Sequence, residues 1–190
     1  MPERAKIKEV FIIHGYDSSP RKNWFLWLES ELKKHGGIKV AILDLPDSQN
    51  PNLNLWIQIL RQAISPSKQT FLVGHSLGCI TILQYLQTLD CVEIGGVVLV
   101  SGFAKALPSL PLLDGFTHTP LDYSKLKAMI HKRVVLSAKD DSIVPTTLSK
   151  ELAQNLGADF IQTQEGGHFM DSDGFRTFPL ALEKLAKMMG

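Results

Sequence analysis

Short apolar runs recur along the chain, separated by longer segments in which apolar residues return every three or four positions. The runs fall at 10–13, 40–43, 70–73, 97–100, 134–136 and 159–161. The first five are nearly all apolar rather than alternating, as in parallel strands covered on both faces. The sixth, Asp-Phe-Ile, is more polar and suits a sheet edge. Between the runs the spacing predicts helices over 24–34, 55–64, 77–89, 124–130 and 147–156, with a last one after Pro179. In the first of these, Trp24, Trp27, Leu28 and Leu32 form an apolar stripe, and Glu29, Glu31, Lys33 and Lys34 lie largely off it. Gly36 and Gly37 then supply a stop.

Strands alternating with helices predict a three-layer α/β/α architecture around a doubly wound, mainly parallel six-stranded sheet. A chain of 190 residues with 44% hydrophobic content is read as one domain spanning 1–190. Such sheets bind ligands at the carboxyl ends of their strands, near the switch in strand order. One stretch breaks the rhythm. Residues 102–123 carry Pro108, Pro111 and Pro120 among Leu107, Leu110, Leu112, Leu113 and Phe116. They read as an excursion over the strand ends, either a loop packed for stability or a small apolar cap over a pocket.

Composition narrows the function. Charged residues make up 21% and the formal net charge is +1, so neither disorder nor a polyanion-binding surface is indicated. No basic block is interleaved with aromatics, and nucleic acid is not expected as a partner. The opening residues lead into an apolar run too short for a signal-peptide core or a membrane span, so a cytoplasmic location is expected. Cys79 and Cys91 are the two cysteines, and both are expected as buried thiols rather than a disulfide. No metal-ligand cluster is seen, so no metal is expected.

Candidate chemistry begins at Gly74-His75-Ser76-Leu77-Gly78. An apolar strand runs straight into this G-x-S-x-G pattern and an amphipathic helix leaves it, which is the context a nucleophile elbow needs. Glycine at both ends leaves room where a side chain would clash, and Ser76 is pushed out at the strand end. A serine hydroxyl needs a base within hydrogen-bond reach. His168, in Gly166-Gly167-His168-Phe169 just after the sixth strand, is the candidate. His75 points away from the Ser76 hydroxyl at a sharp turn, and His118 and His131 show no companion residues.

A third group must hold the imidazole in its productive tautomer. The fifth strand ends in Lys139-Asp140-Asp141, between serine and histidine in sequence, giving the order Ser, Asp, His. Asp141, three residues before Val144-Pro145, is preferred over Asp140, which is read as a turn former bonding nearby amides. Asp171 and Asp173 lie too close to the histidine to be attractive orienters. The first strand ends in His14-Gly15-Tyr16, so the backbone N–H groups of Tyr16 and Leu77 are the candidate oxyanion donors. Pocket walls are expected from 102–123 and from the segment after Tyr16, with Tyr16, Phe103 and Phe116 as candidate lining residues.

These blocks occur in order together with Trp24-Phe25-x-Trp27-Leu28 and Val100-Ser101-Gly102-Phe103-Ala104. Together they resemble the small bacterial YdeN-type hydrolases of the α/β-hydrolase superfamily, related to the mammalian retinoblastoma-binding protein nine. The resemblance spans essentially the whole chain. It implies a compact six-stranded α/β-hydrolase, Ser76, Asp141 and His168 as a triad, and serine-hydrolase activity without a cofactor. The expected reaction is cleavage of small to medium carboxylic esters through an acyl-enzyme on Ser76. The alternatives are an amidase or thioesterase using the same triad, or a binding module with little turnover. Leu89-Asp90-Cys91-Val92-Glu93 matches the Leu-x-Cys-x-Glu pattern that binds the retinoblastoma pocket. It spans a predicted helix end, where an extended peptide is not presented, and no protein partner is indicated.

Overall fold

Successive residues of the inner strands feed two separate cores, because side chains alternate across a pleated strand. In the computed structural model, which describes residues 7–190, the first strand β1 (Lys8–Ile13) sends Phe11 and Ile13 to one face and Val10 and Ile12 to the other. Both faces of each inner strand are covered, so these runs read as continuously apolar.

The chain continues through α1 (Phe25–Lys33), β2 (Ile38–Leu43), α2 (Leu53–Ala63), β3 (Thr70–His75), α3 (Leu77–Gln87) and β4 (Ile94–Val100). It then passes through a 3₁₀ turn at Pro111–Phe116 to α4 (Tyr123–Met129), β5 (Ile130–Ala138), α5 (Thr146–Leu156), β6 (Asp159–Thr163) and α6 (Pro179–Met189). The sheet order is β2-β1-β3-β4-β5-β6, and every pairing is parallel. Both predicted features, the six strands and the layering, are present. One face packs on α1 and α6, the other on α2, α3, α4 and α5. Two edges are therefore half-covered. β6 lies at one edge, as its polarity foretold, but β2 lies at the other and is partly exposed despite its apolar run.

Local chemistry sets the helix ends. The Asn52 side chain accepts the Leu55 N–H at 3.0 Å, and Asp122 accepts the Lys125 N–H at 2.9 Å, each satisfying a helix-start donor. Gly157, at φ 61°, closes α5 in the left-handed conformation that glycine tolerates. Helix α3 is buried on all sides from Leu77 to Leu86, flanked by the sheet, α2, α4 and the 3₁₀ turn. That burial anchors whatever sits at its N-terminus.

The excursion packs inward on the core. Leu113 and Phe116 of the 3₁₀ turn are buried in the core, and Phe116 meets Trp56 edge-on with ring centroids 5.4 Å apart. Gln84 of α3 ties the segment down, donating to the carbonyls of Phe116 at 3.1 Å and Thr119 at 2.8 Å. Cys79 is buried as expected, but Cys91 is exposed. Helix α3 stops at Gln87, and Cys91 falls in the turn beyond it at φ 52°, outside either core. Among the described residues no helix is long and apolar enough to cross a membrane. The start of the opening stretch, residues 1–6, lies outside the described residues.

Candidate active site

Strand order reverses between β1 and β3, and the site lies at the carboxyl ends of the strands, with residues following β1, β3, β5 and β6. The chain leaves β3 at His75 and enters α3 at Leu77, so Ser76 alone makes the turn, at φ 54° and ψ −120°. This is a conformation that non-glycine residues rarely adopt, held by the Ser76 N–H donating to the Val100 carbonyl at 2.8 Å. The flanking glycines are required by contact. A Cβ on Gly74 would stand 2.9 Å from the Cys79 backbone, and one on Gly78 would run into the Ile13 and His14 carbonyls.

His168 follows β6 in a loop gathered from several directions. Its Nδ1 lies 2.9 Å from Asp141 Oδ2 and 3.1 Å from Oδ1, and both side chains are almost wholly buried. Asp141 sits just past β5. Its Oδ1 accepts the N–H groups of Ile143 and Val144, each at 2.9 Å, and its Oδ2 accepts the Ser101 hydroxyl at 2.8 Å. Burial pushes the Asp141 carboxyl up. The hydrogen bond and charge of His168, with the two backbone N–H groups, outweigh this and hold it below the usual carboxylate range. Ser101 is itself at φ 49°, a turn at the end of β4 that parallels the one at Ser76.

Asp140 is brought to a different place. Its carboxylate accepts the N–H groups of Gly167 at 2.9 Å and Gly166 at 3.3 Å, so it braces the histidine loop across space instead of bonding nearby amides. Asp173 does the same from the other side, accepting the His168 N–H at 3.0 Å and the Met170 N–H at 3.1 Å. Trp24 Nε1–H donates to the Phe169 carbonyl at 3.0 Å, and His75 Nε2 lies 2.7 Å from the His168 carbonyl. None of these contacts is written in local sequence. The two-residue spacing from Asp171 to Asp173 next to Gly166-Gly167-His168 is the only signal that could have drawn attention to them.

His14 and His131 lie outside the cavity that holds Ser76 and His168. His14, buried against Trp56, accepts the Leu45 N–H at Nε2 (3.1 Å) and pairs Nδ1 with the Gly15 carbonyl (2.9 Å). Burial pushes its pKa down against smaller upward pulls from Gly15 and Asp44. His131 does have a companion, Glu93, at 2.6 Å on the surface.

Ser76 and His168 open on one cavity of about 570 Å³, whose walls include Tyr16, Leu110, Ile143 and Met170, with Lys22 and Asn23 at its rim. Tyr16 is placed as expected. Phe103 and Phe116 are not: they are 1% and 2% exposed and sit in the core beneath the excursion. The excursion reaches the cavity through Ser109 and Leu110, which precede the 3₁₀ turn. Ile143 and Met170 lie two residues beyond Asp141 and His168, so adjacency to those two was the available clue.

A family profile described as serine hydrolase matches residues 10–187. YdeN of Bacillus subtilis is 41% identical over 180 residues, covering 94% of each chain. The crystal structure of the ydeN gene product superposes with a TM-score of 0.92 over 95% of this chain and 98% of that one. Serine hydrolase RBBP9 of Rattus norvegicus is 22% identical over 79% of this chain and 80% of its own. Mouse alpha/beta hydrolase domain-containing protein 10 shares the fold at 16% identity, with a TM-score of 0.73 over 98% of this chain and 91% of its own.

Proposed function

The chain belongs to the serine hydrolase family, and we propose that it cleaves carboxylic esters of small to medium acyl groups through an acyl-enzyme on Ser76. The observation that carries this reading is His168, paired with buried Asp141, lining one cavity together with Ser76. Ser76 Oγ attacks the ester carbonyl while His168 Nε2 takes its proton, and Asp141 keeps the other proton on Nδ1. The tetrahedral intermediate collapses as His168 returns the proton to the leaving alkoxide. Water, deprotonated by the same nitrogen, then attacks the acyl carbon and frees Ser76.

The developing oxyanion is assigned to the Tyr16 and Leu77 N–H groups. Leu77 opens α3, where a backbone N–H has no partner within the helix and the dipole favours negative charge. Space for that oxyanion depends on Gly15. A Cβ there would stand 2.9 Å from the His75 carbonyl, 3.0 Å from Ser76 Cβ and 3.2 Å from Leu77 N. Gly15→Ala is therefore expected to lower kcat by ~10²- to 10³-fold, as when an oxyanion donor is lost. Steady-state kinetics on the folded variant check this, and a kcat within about threefold of wild type would remove Leu77 from the oxyanion role. The apolar share of the wall, Tyr16, Leu110, Ile143 and Met170, suits a modest acyl chain.

Fluorophosphonate labelling followed by peptide mapping tests the reading. One label per chain on Ser76, with turnover across esters of graded acyl length, supports it. No label, or a label on another residue, would overturn it, and a preference for amides or thioesters would redirect the substrate class.

A further inference from the structure

Four groups grip the backbone around His168, and His75 differs from the other three. Asp140 and Asp173 act from exposed positions and Trp24 from α1's entry, whereas His75 is the last residue of β3, immediately before Ser76. Its Nε2 meets the carbonyl of His168 at 2.7 Å, a geometry that requires the proton on Nε2, because a carbonyl only accepts. Nδ1 then carries a bare lone pair, and this atom is buried with no partner. The ring is 3% exposed, edge-on to Trp24 and Phe25 at centroid distances of 6.0 and 5.9 Å, and 5.0 Å from the His168 ring. An aromatic slot that needed only filling would take phenylalanine without orphaning a nitrogen. The polar atom is explained by what Nε2 holds.

We infer that His75 is a positioning residue for the reaction: through the His168 carbonyl, the strand that carries the nucleophile also sets the place of the base. The two reacting groups come from β3 and from the loop after β6, at opposite halves of the sheet. Asp141 fixes the tilt of the imidazole from β5, and the His75 bond fixes the backbone from which the imidazole hangs. Burial first, and the neighbouring His168 second, push the His75 pKa down to about 3. The ring therefore stays an uncharged donor at neutral pH and adds no positive charge beside the imidazolium that His168 becomes during turnover.

The inference rests on the proposed Ser76–His168 chemistry, and its test keeps the two apart. His75→Phe retains the ring and loses the donor, and His75→Gln retains an amide donor. His75→Phe is expected to lower kcat by ~10- to 100-fold with KM within about threefold, since a displaced base slows chemistry more than binding. His75→Gln is expected to recover most of that loss. A kcat for His75→Phe within about twofold of wild type, or equal losses in both folded variants, would overturn the positioning role. A measurement on the unmutated protein is independent of folding: imidazole ¹⁵N spectra should show His75 as the neutral Nε2–H tautomer from pH 5 to 8. An Nδ1–H tautomer or titration in that range would overturn the inference equally. Failure of wild type to take a fluorophosphonate label at Ser76 is the separate result that sinks the proposed function itself.

Discussion

Alanine at Ser76 or at His168 is expected to lower ester turnover by at least ~10⁴-fold, and the double variant is expected to be no worse than either single one. Two buried groups close to the turn at Ser76, the Ser101 hydroxyl and the Cys79 thiol, are committed elsewhere. The Ser101 hydroxyl donates to Asp141 Oδ2 at 2.8 Å, so it is committed to the acid. Cys79 is wholly buried, its thiol donates to the Val100 carbonyl at 3.3 Å, and burial pushes its pKa up, away from the reactive thiolate. His75 cannot replace His168 either, because its Nε2 is spent on the His168 carbonyl and burial resists its protonation. Ser76→Ala should fold: the turn at residue 76 is imposed by Gly74, Gly78 and the backbone bond to Val100, none of which the substitution touches. Initial rates on an activated ester, with thermal melts alongside, check this. Either variant keeping more than about one per cent of wild-type turnover while folded would break the mechanism.

What could be read from sequence divides by range of interaction. The strands at 10–13, 70–73 and 97–100 were legible because a doubly covered strand is apolar at every position, whatever its partners. The same rule misjudged β2, whose Val40, Ala41 and Ile42 look internal but lie at an edge, since apolarity does not report strand order. The turn at Ser76 was legible because it is a local object: strand, glycine, serine, glycine, helix. The meeting of Asp141 and His168 followed from chain order and strand ends. The bracing of the histidine loop was not legible. Asp140, Trp24 and His75 reach it over separations from 26 to 145 residues, and nothing in their own neighbourhoods marks them. Phe103 and Phe116 failed for a related reason. An excursion over the strand ends has an inner and an outer side, and only the packing of Phe116 on Trp56 decides which residues face the cavity. Cys91 erred because a position just beyond a helix end does not report burial, and the turn after α3 opens to solvent.

The acid should show the sharpest contrast between two adjacent residues. Asp141→Asn is expected to lower turnover by ~10³- to 10⁴-fold, and Asp140→Asn by less than about tenfold. At Asp141 both oxygens are acceptors with fixed duties: Oδ1 receives two backbone N–H groups, and Oδ2 receives the Ser101 hydroxyl and His168 Nδ1–H. An asparagine has one oxygen to offer. Set toward Ile143 and Val144, it turns its NH₂ on His168 and favours the tautomer with the proton on Nε2, which cannot accept from Ser76. Set toward His168, it places that NH₂ against two backbone donors in a buried site, at a cost to stability. Asp140→Asn keeps an oxygen for the Gly167 N–H and touches neither reacting group. A melting series adds a second check with a definite sign. The Asp141 carboxyl is held below its usual range, so its charge stabilises the fold above an unfolded pKa of about 4, and that contribution is lost as pH falls through the lower folded value. The gap in Tm between wild type and Asp141→Asn should therefore narrow on acidification from pH 7 toward pH 3. Equal losses of turnover in the two variants, or a Tm gap that widens in acid, would move the acid's role away from Asp141.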